Sequence, residues 1–459
     1  MAIIEGFNRN CTQKILDGVN GQWASNFRLT ILDSNNLKES LESARDFVTQ
    51  FKDGEVTHKF QGKSYTFHFK YRDPWEWLVD LVTDPTLSNS IMWYPVEKYL
   101  HNGSKITRIY DEVNTGKRWW EIQVTVSLMN IWNTIINLED KGKVSSTTKM
   151  HPIVLQAAFL PSEIRNASGN GGGVFIGLMP IVGNPNDSIE SEDDTHTSVE
   201  IAQFKREIYH KVIHVIFRSI QKRSHHGDTL ACGDKVRRVH YPGFLIHSVN
   251  GEEGCSTCGT RGAQAKHPCP KCLAEKMSLC MLSQNFTPRT QEDMMDIFRK
   301  VKDVGYSSRM SFLQDAGLHF VKNTFWKINN SSPYDAYSYD LLHAFDAGEW
   351  GKHLWPLVLE VLKPVKDGIS RRHANLYSLT IAEMDFADGN SFRDILKLLP
   401  SNASLVHCIR VCTILRSIAG LRVVTSDQID AYKKFLIKYE KWCKVTVVVS
   451  FIASSLTFI

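Results

Sequence analysis

Two Cys-x-x-Cys pairs, Cys255/Cys258 and Cys269/Cys272, stand close together, with His267 just ahead of the second. Thiolate pairs at this spacing grip a tetrahedral Zn²⁺ when four ligands converge. A closed local knuckle is one arrangement, although the gap between the pairs is shorter than in most zinc ribbons. Cys255 and Cys258 follow Glu252-Glu253 at what reads as a helix start, where they serve equally well as small buried apolar residues. Cys269 and Cys272 lie in a turn stiffened by Pro268 and Pro270, which suits ligation better. If that pair ligates alone, two further ligands must come from elsewhere. Asp340 and His343, at i and i+3 and so on one helical face, meet that need, with His353 in reserve. Pro268-Cys269-Pro270-Lys271-Cys272 is also half of a zinc-deaminase signature, but none of the seventeen histidines is followed two residues later by Glu, so the proton-moving residue of that chemistry is absent.

A second candidate rests on acids at strand ends. The apolar segment Trp132 to Leu138 runs into Glu139-Asp140, and the run Phe244-Leu245-Ile246 leads through Ser248 to Asn250. Two carboxylates at neighbouring strand ends hold divalent ions a few ångströms apart in phosphodiester chemistry. Only the first of these residues is an acid. Asn250 offers a neutral carbonyl oxygen where a hard cation prefers a carboxylate. By composition alone, two ordinary strand-end polar residues account for the pattern equally well.

The elements that must position these residues alternate in type. Asn36 to Phe51 has helical spacing, Lys59 to Phe69 alternates about a Gln61-Gly62-Lys63 turn, and Asp73-Pro74 opens a helix through Leu81. Strands are expected at Trp132–Leu138, Ile153–Phe159 and Val174–Val182, then a helix over Ser198–Gln221 with a basic outer face. Strands interleaved with helices define an α/β domain. The loop Gly169 to Gly173 precedes a strand and lacks a P-loop Lys, so it reads as a turn. The tryptophans of the first 125 residues read as core more than as a base-stacking surface. Residues 286 to 330 look helical and polar, Trp350 to Leu362 looks helical, and Ala403 to Lys444 carries helical periodicity broken at Gly420.

Bulk properties exclude some classes. The chain has 459 residues, 42% hydrophobic and 22% charged, with a net charge of +5. That balance permits a nucleic-acid partner without requiring one. Ten cysteines at this length are not a disulfide scaffold, and no secretory leader opens the chain, so an intracellular, reducing compartment is expected. The uncharged run Val445 to Ile459 is shorter than the ~20 residues a bilayer-spanning helix needs, so no membrane association is expected.

Seven short motifs then carry a family resemblance. They are Tyr94-Pro95-Val96-Glu97-Lys98-Tyr99, Thr115-Gly116-Lys117-Arg118-Trp119-Trp120-Glu121, Leu138-Glu139-Asp140-Lys141, Leu160-Pro161-Ser162-Glu163-Ile164-Arg165-Asn166, His247-Ser248-Val249-Asn250-Gly251-Glu252-Glu253, His267-Pro268-Cys269-Pro270-Lys271-Cys272-Leu273 and Asp340-Leu341-Leu342-His343-Ala344-Phe345. In this order, over about Pro74 to Lys444, the chain resembles transposases of the Plavaka group of fungal DNA transposons, related to the Kyakuja–Dileera–Zisupton superfamily. The resemblance implies an RNase H-like mixed sheet with flanking helices, a cysteine-containing and largely helical insertion, and a helical C-terminal part. It implies an Asp-Asp-Glu centre for Mg²⁺ or Mn²⁺, with Asp140 at the first acid and Asn250 where the second is expected. It also implies a structural Zn²⁺ on Cys269, Cys272, Asp340 and His343. DNA at transposon ends is the implied partner, with a homo-oligomer as a further possibility and the nucleus as the place of action.

The expected organisation is an N-terminal α+β region over 1–125, an RNase H-like core with the cysteine cluster over 126–285, a helical insertion over 286–370, a helical region over 371–444, and an apolar tail over 445–459 foreign to the fold. Departures from the family pattern matter. Asn250 replaces an acid, and no third acid can be matched, with Glu349 and Glu360 the downstream candidates. The polar C-terminal portion and an N-terminal zinc finger are expected to be missing. The sequence therefore suggests a decayed relative, either catalytically silent or kept as a zinc-stabilised DNA- or protein-binding module.

Overall fold

A computed structural model describes residues 9–22, 31, 33–44, 49–125, 130–138, 142–143, 149–166, 172–188, 197–362 and 403–445. Strands β1 (Phe51–Phe60) and β2 (Lys63–Arg72) form a hairpin in full register from Phe51↔Arg72 to Phe60↔Lys63. Gln61 and Gly62 both take positive φ, 47° and 80°, as a two-residue turn matched to strand twist requires. Helix α1 (Pro74–Thr83) starts where Asp73 accepts the N–H groups of Trp75 and Glu76 and Pro74 needs no donor. Its face of Trp75, Trp77, Leu78, Leu81 and Val82 is buried, and Trp119 is buried nearby, so these three tryptophans belong to the core as expected.

The chain then builds a mixed α/β sheet. Strands β3 (Asn130–Leu138), β4 (Lys149–Ala157) and β5 (Gly173–Met179) run as an antiparallel meander. Ile153, Leu155 and Ala157 are buried in alternation, the period-2 pattern of a strand with one face on the core. Helix α2 (Ser198–Ile216) begins in a capping box between Thr197 and Glu200. Its buried residues Phe204, Ile208, Val212 and Ile216 recur every fourth position, each burial contributing about 2 kcal/mol. Helix α3 (Arg218–His226) follows after a break at Phe217 and ends at Gly227, whose φ is +71°.

Strand β6 (Arg237–Val249) then enters beside β3 and parallel to it, and β7 (Tyr337–Tyr339) adds to its other side, also parallel. The order across the sheet is β1-β2-β5-β4-β3-β6-β7. Between β6 and β7 come α4 (Gly251–Cys258), the cysteine loop, α5 (Gln291–Lys302) and α6 (Tyr306–Asp315). Two features depart from the expected layout. The first hairpin extends this sheet through Tyr71↔Gly177, although it lies in the region read as a separate N-terminal unit. Residues 337–339 return to the sheet as a strand from within the span read as a helical insertion.

A second core joins the π-helical stretch Leu342–Leu354 to α7 (Ala403–Ala419) and α8 (Ser426–Val445), through Leu354, Leu405, Ile409, Leu415 and Tyr439. Arg416 holds Asp346 with two bonds, at 2.8 and 2.9 Å. Among the described residues no helix is long and apolar enough to cross a membrane. The apolar run from 446 to 459 lies outside them.

His247, from one of the seven motifs, lies in the core instead of at a site. It packs 4.7 Å from the Phe325 ring and 5.6 Å from Phe244, and neither ring nitrogen has a partner among the described residues. Burial pulls its pKa from 6.5 down to about 3. A buried neutral histidine stabilises the fold above the unfolded-state pKa and loses that contribution as pH falls toward the folded one. His247→Leu should remove about 2 kcal/mol of the stability lost between pH 7 and pH 5, measured by urea unfolding at the two pH values. An unchanged pH dependence would show that His247 is not held neutral in the core.

Candidate functional site

Parallel pairing of β6 with both neighbours brings three strand ends level. Leu138 lies opposite Val249, and Val249 opposite Tyr339. The next polar residues are Glu139-Asp140 after β3, Asn250 after β6 and Asp340 after β7. The carboxyl edge of parallel strands is where α/β sheets place ligands, because the connecting loops and helix N-termini gather there. Asp140 itself lies outside the described residues, between Leu138 and Gly142, both of which pair with β4. Asn250 is the N-cap of α4, and its Oδ1 accepts the Glu253 N–H at 2.9 Å.

Glu253, which the sequence reading gave no chemical role, lies on the first turn of α4. Its carboxylate reaches within 3.5 Å of His151 Nδ1, on β4. These two residues, Lys205, Arg206 and Tyr209 from α2, and Ser256 from α4 surround a cleft of about 170 Å³, closed on one side by Met179 to Val182. The Tyr209 hydroxyl pairs with that of Thr257 at 2.9 Å, and burial drives its pKa far up. The helix periodicity placed the basic residues of this segment on an outer face, whereas Arg206 turns inward. Spacing alone gives one signal for Glu253, an acid three residues after an N-cap asparagine.

The four cysteines are neighbours around a buried arginine. Arg289, 1% exposed, donates to the carbonyls of Cys269 (2.9 Å), His267 (2.8 Å) and Ala316 (2.6 Å). Gly317, at φ +65°, brings its backbone against His267, where a Cβ would overlap the His267 carbonyl oxygen. Cys258 is buried with its sulfur on the Pro333 carbonyl at 3.5 Å, and burial raises its pKa and that of Cys255. Cys269 behaves oppositely. A hydrogen bond from the Cys272 thiol, with the backbone N–H groups of Lys271 and Cys272 and the Tyr339 hydroxyl, pulls its pKa down to about 6. Cys272, the donor, is pushed up.

Of the expected zinc ligands, Cys269 and Cys272 pair with each other, and Asp340 pairs with His343 through Oδ2 and Nδ1. Tyr339 links the two pairs, since it touches the Cys269 sulfur and immediately precedes Asp340. The four do not close into one centre: among the described residues no three His, Cys, Asp or Glu side chains stand close enough together to hold a metal ion. His267 turns away to the Asp315 carbonyl, 2.8 Å from its Nδ1, and His353 is half-buried in the π-helical stretch. Glu349, a candidate third acid, is buried in the second core, where it accepts from the Tyr439 hydroxyl. Glu360 belongs to the helix Trp355–Leu362.

The fold is a mixed α/β sheet with polar residues following aligned parallel strand ends and a cysteine loop in the crossover. The profile of the Plavaka transposase family matches residues 33–358, about seven-tenths of the chain. The chain belongs to the Plavaka transposase family. No curated protein matches the chain.

Among the described residues Arg289 has no carboxylate hydrogen-bond partner; besides the Met294 sulfur it satisfies the three carbonyls. Arg289→Met orphans all of them and should lower the unfolding free energy by about 3 kcal/mol, while Arg289→Lys should cost less, as read by chemical denaturation. Equal stability of Arg289→Met and the parent chain would contradict this role.

Proposed function

We propose that the chain is a transposase-derived protein whose ancestral chemistry was Asp-Asp-Glu, metal-dependent DNA cleavage and strand transfer, and that this chemistry is silent here. The observation that carries the reading is the level termination of β3 and β6, Leu138 opposite Val249, with positions 140 and 250 just beyond. An RNase H-like core is supported by the strand order: a three-strand antiparallel meander with two parallel strands added beside its first strand.

The residues present fit a two-ion centre poorly. Asn250 brings no charge, and its Oδ1 already accepts the Glu253 N–H. Like Glu349 in the second core, it is committed elsewhere. No cleavage step is therefore drawn through a metal. What these residues do is structural: Asn250 starts α4, and Glu253 faces His151 across the cleft floor.

For zinc the donor chemistry fits in part. Cys269 and Cys272 form a paired-thiol knuckle with backbone N–H groups on the Cys269 sulfur, and such bonds favour the thiolate a metal needs. Cys269 and Cys272 would hold the ion; Asp340 and His343, bonded to each other, would complete the set only on leaving that pair. A bound zinc would brace the loop without taking part in catalysis. Binding to DNA without cleavage is the companion reading, supported by a chain that keeps its sheet edge but lacks the charge at position 250.

Two measurements check this. The purified chain, incubated with supercoiled plasmid and Mg²⁺ or Mn²⁺, should nick no faster than buffer, and DNA binding should survive Asp140→Ala because phosphate contacts do not need a metal site. Robust divalent-dependent nicking would overturn the silent assignment. Metal analysis should find zinc near one equivalent per chain, largely lost in Cys269→Ser. Equal zinc content in both proteins would remove Cys269 as a ligand.

A further inference from the structure

The cleft lined by Glu253 and Ser256 holds a cation without a partner among the described residues. Arg206, on α2, is half-buried and makes neither a hydrogen bond nor an ion pair among the described residues. Its charged neighbour is another cation, Arg261, whose Nε is spent on the Leu318 carbonyl at 2.7 Å. His319 lies by both guanidiniums, and burial together with their charge holds it neutral. Among the described residues lining the cleft, the one carboxylate, Glu253, faces His151. Burial and Arg261 lower the Arg206 pKa only to about 10, so the group is charged at neutral pH. A half-buried, unpaired guanidinium is unfavourable unless an anion completes it.

The remaining wall suits such an anion. Lys205 adds a second cation, exposed to solvent, and Ser256 a hydroxyl, while Pro180 and its neighbours line the cleft as well. The planar fork of arginine matches the geometry of a phosphate in particular. His151 and Met179, which also line the cleft, are paired residues toward the ends of β4 and β5. We propose that this cleft is a subsite for one phosphodiester of a DNA backbone lying along the sheet edge, with Arg206 as its charged contact. The proposal rests on the transposase reading, which supplies DNA as the source of the phosphate.

The experiment is fluorescence anisotropy of the full chain on labelled duplex DNA across a salt series. Arg206→Gln should weaken binding about tenfold and reduce the log–log salt slope by about one, the signature of one lost phosphate contact. Lys300→Gln, on the exposed face of α5, should change neither by comparison. Arg206→Lys keeps the charge and loses the fork, so it should hold the slope and lose only a few-fold in affinity. Arg206→Gln should also melt no lower than the parent, because an unpaired charge stabilises nothing, and a lower melting temperature would mark Arg206 as structural and overturn the subsite. DNA binding with the parent affinity and slope in Arg206→Gln overturns the subsite and leaves the transposase reading standing. Failure of the parent chain to bind DNA overturns both. Inorganic phosphate that raises the melting temperature of the parent but not of Arg206→Gln, with DNA binding unaffected, would assign the cleft to a free anion and overturn the phosphodiester.

Discussion

The parallel placement of Arg237–Val249 between Asn130–Leu138 and Tyr337–Tyr339 governs the rest of the molecule. Strands aligned in one direction must be joined by crossovers, and those crossovers carry everything of chemical interest. The first passes through Ser198–Ile216 and supplies the cleft wall with Arg206. The second leaves the sheet at Asn250 and contains both cysteine pairs, Arg289 and the helices up to Asp315 before returning at Tyr337. A bulge between Phe244 and Ile246 shifts the register so that Val249 ends level with Leu138. In this register Asn250 is the first residue, and Asp140 the second, beyond the last paired level.

A long crossover brings many polar backbone groups close to a core, and each needs a partner. Arg289 is the solution found here. One side chain with a fixed fork of donors closes three carbonyls from two separate turns, which holds the Cys269 loop against the end of Tyr306–Asp315. The same loop then presents the Cys269 sulfur to two backbone N–H groups and to Tyr339 on the neighbouring strand. Loop architecture and thiol chemistry are therefore one arrangement, whether or not a metal completes it.

Local patterns were legible in the sequence because they are set by local physics. The Gln61-Gly62 turn, the Asp73 cap, the alternation through Ile153 and the fourfold spacing from Phe204 to Ile216 all appear as expected. Three residues of β7, Tyr-Ser-Tyr, are too few for any period to declare itself, and only tertiary pairing makes them a strand. The inward turn of Arg206 was hidden for the opposite reason: a basic residue on an amphipathic helix is normally solvated, and only the end of the cleft accepts it. His247 reads as a motif residue from sequence and proves to be core, since nothing local distinguishes a neutral buried imidazole from an exposed one. The strand ends were legible as positions, Asn250 included, because each follows an apolar run directly.

The proposed silent transposase site requires positions 140 and 250 to lie together beyond adjacent parallel strand ends. A crystal structure of the Asn250→Asp chain soaked in Mn²⁺, with anomalous scattering to locate the ion, tests it directly. A manganese peak between the carboxylates at positions 140 and 250, beside the His151–Glu253 pair, is the expected result. Side chains at the two positions pointing to opposite faces, with no ion between them, would contradict it.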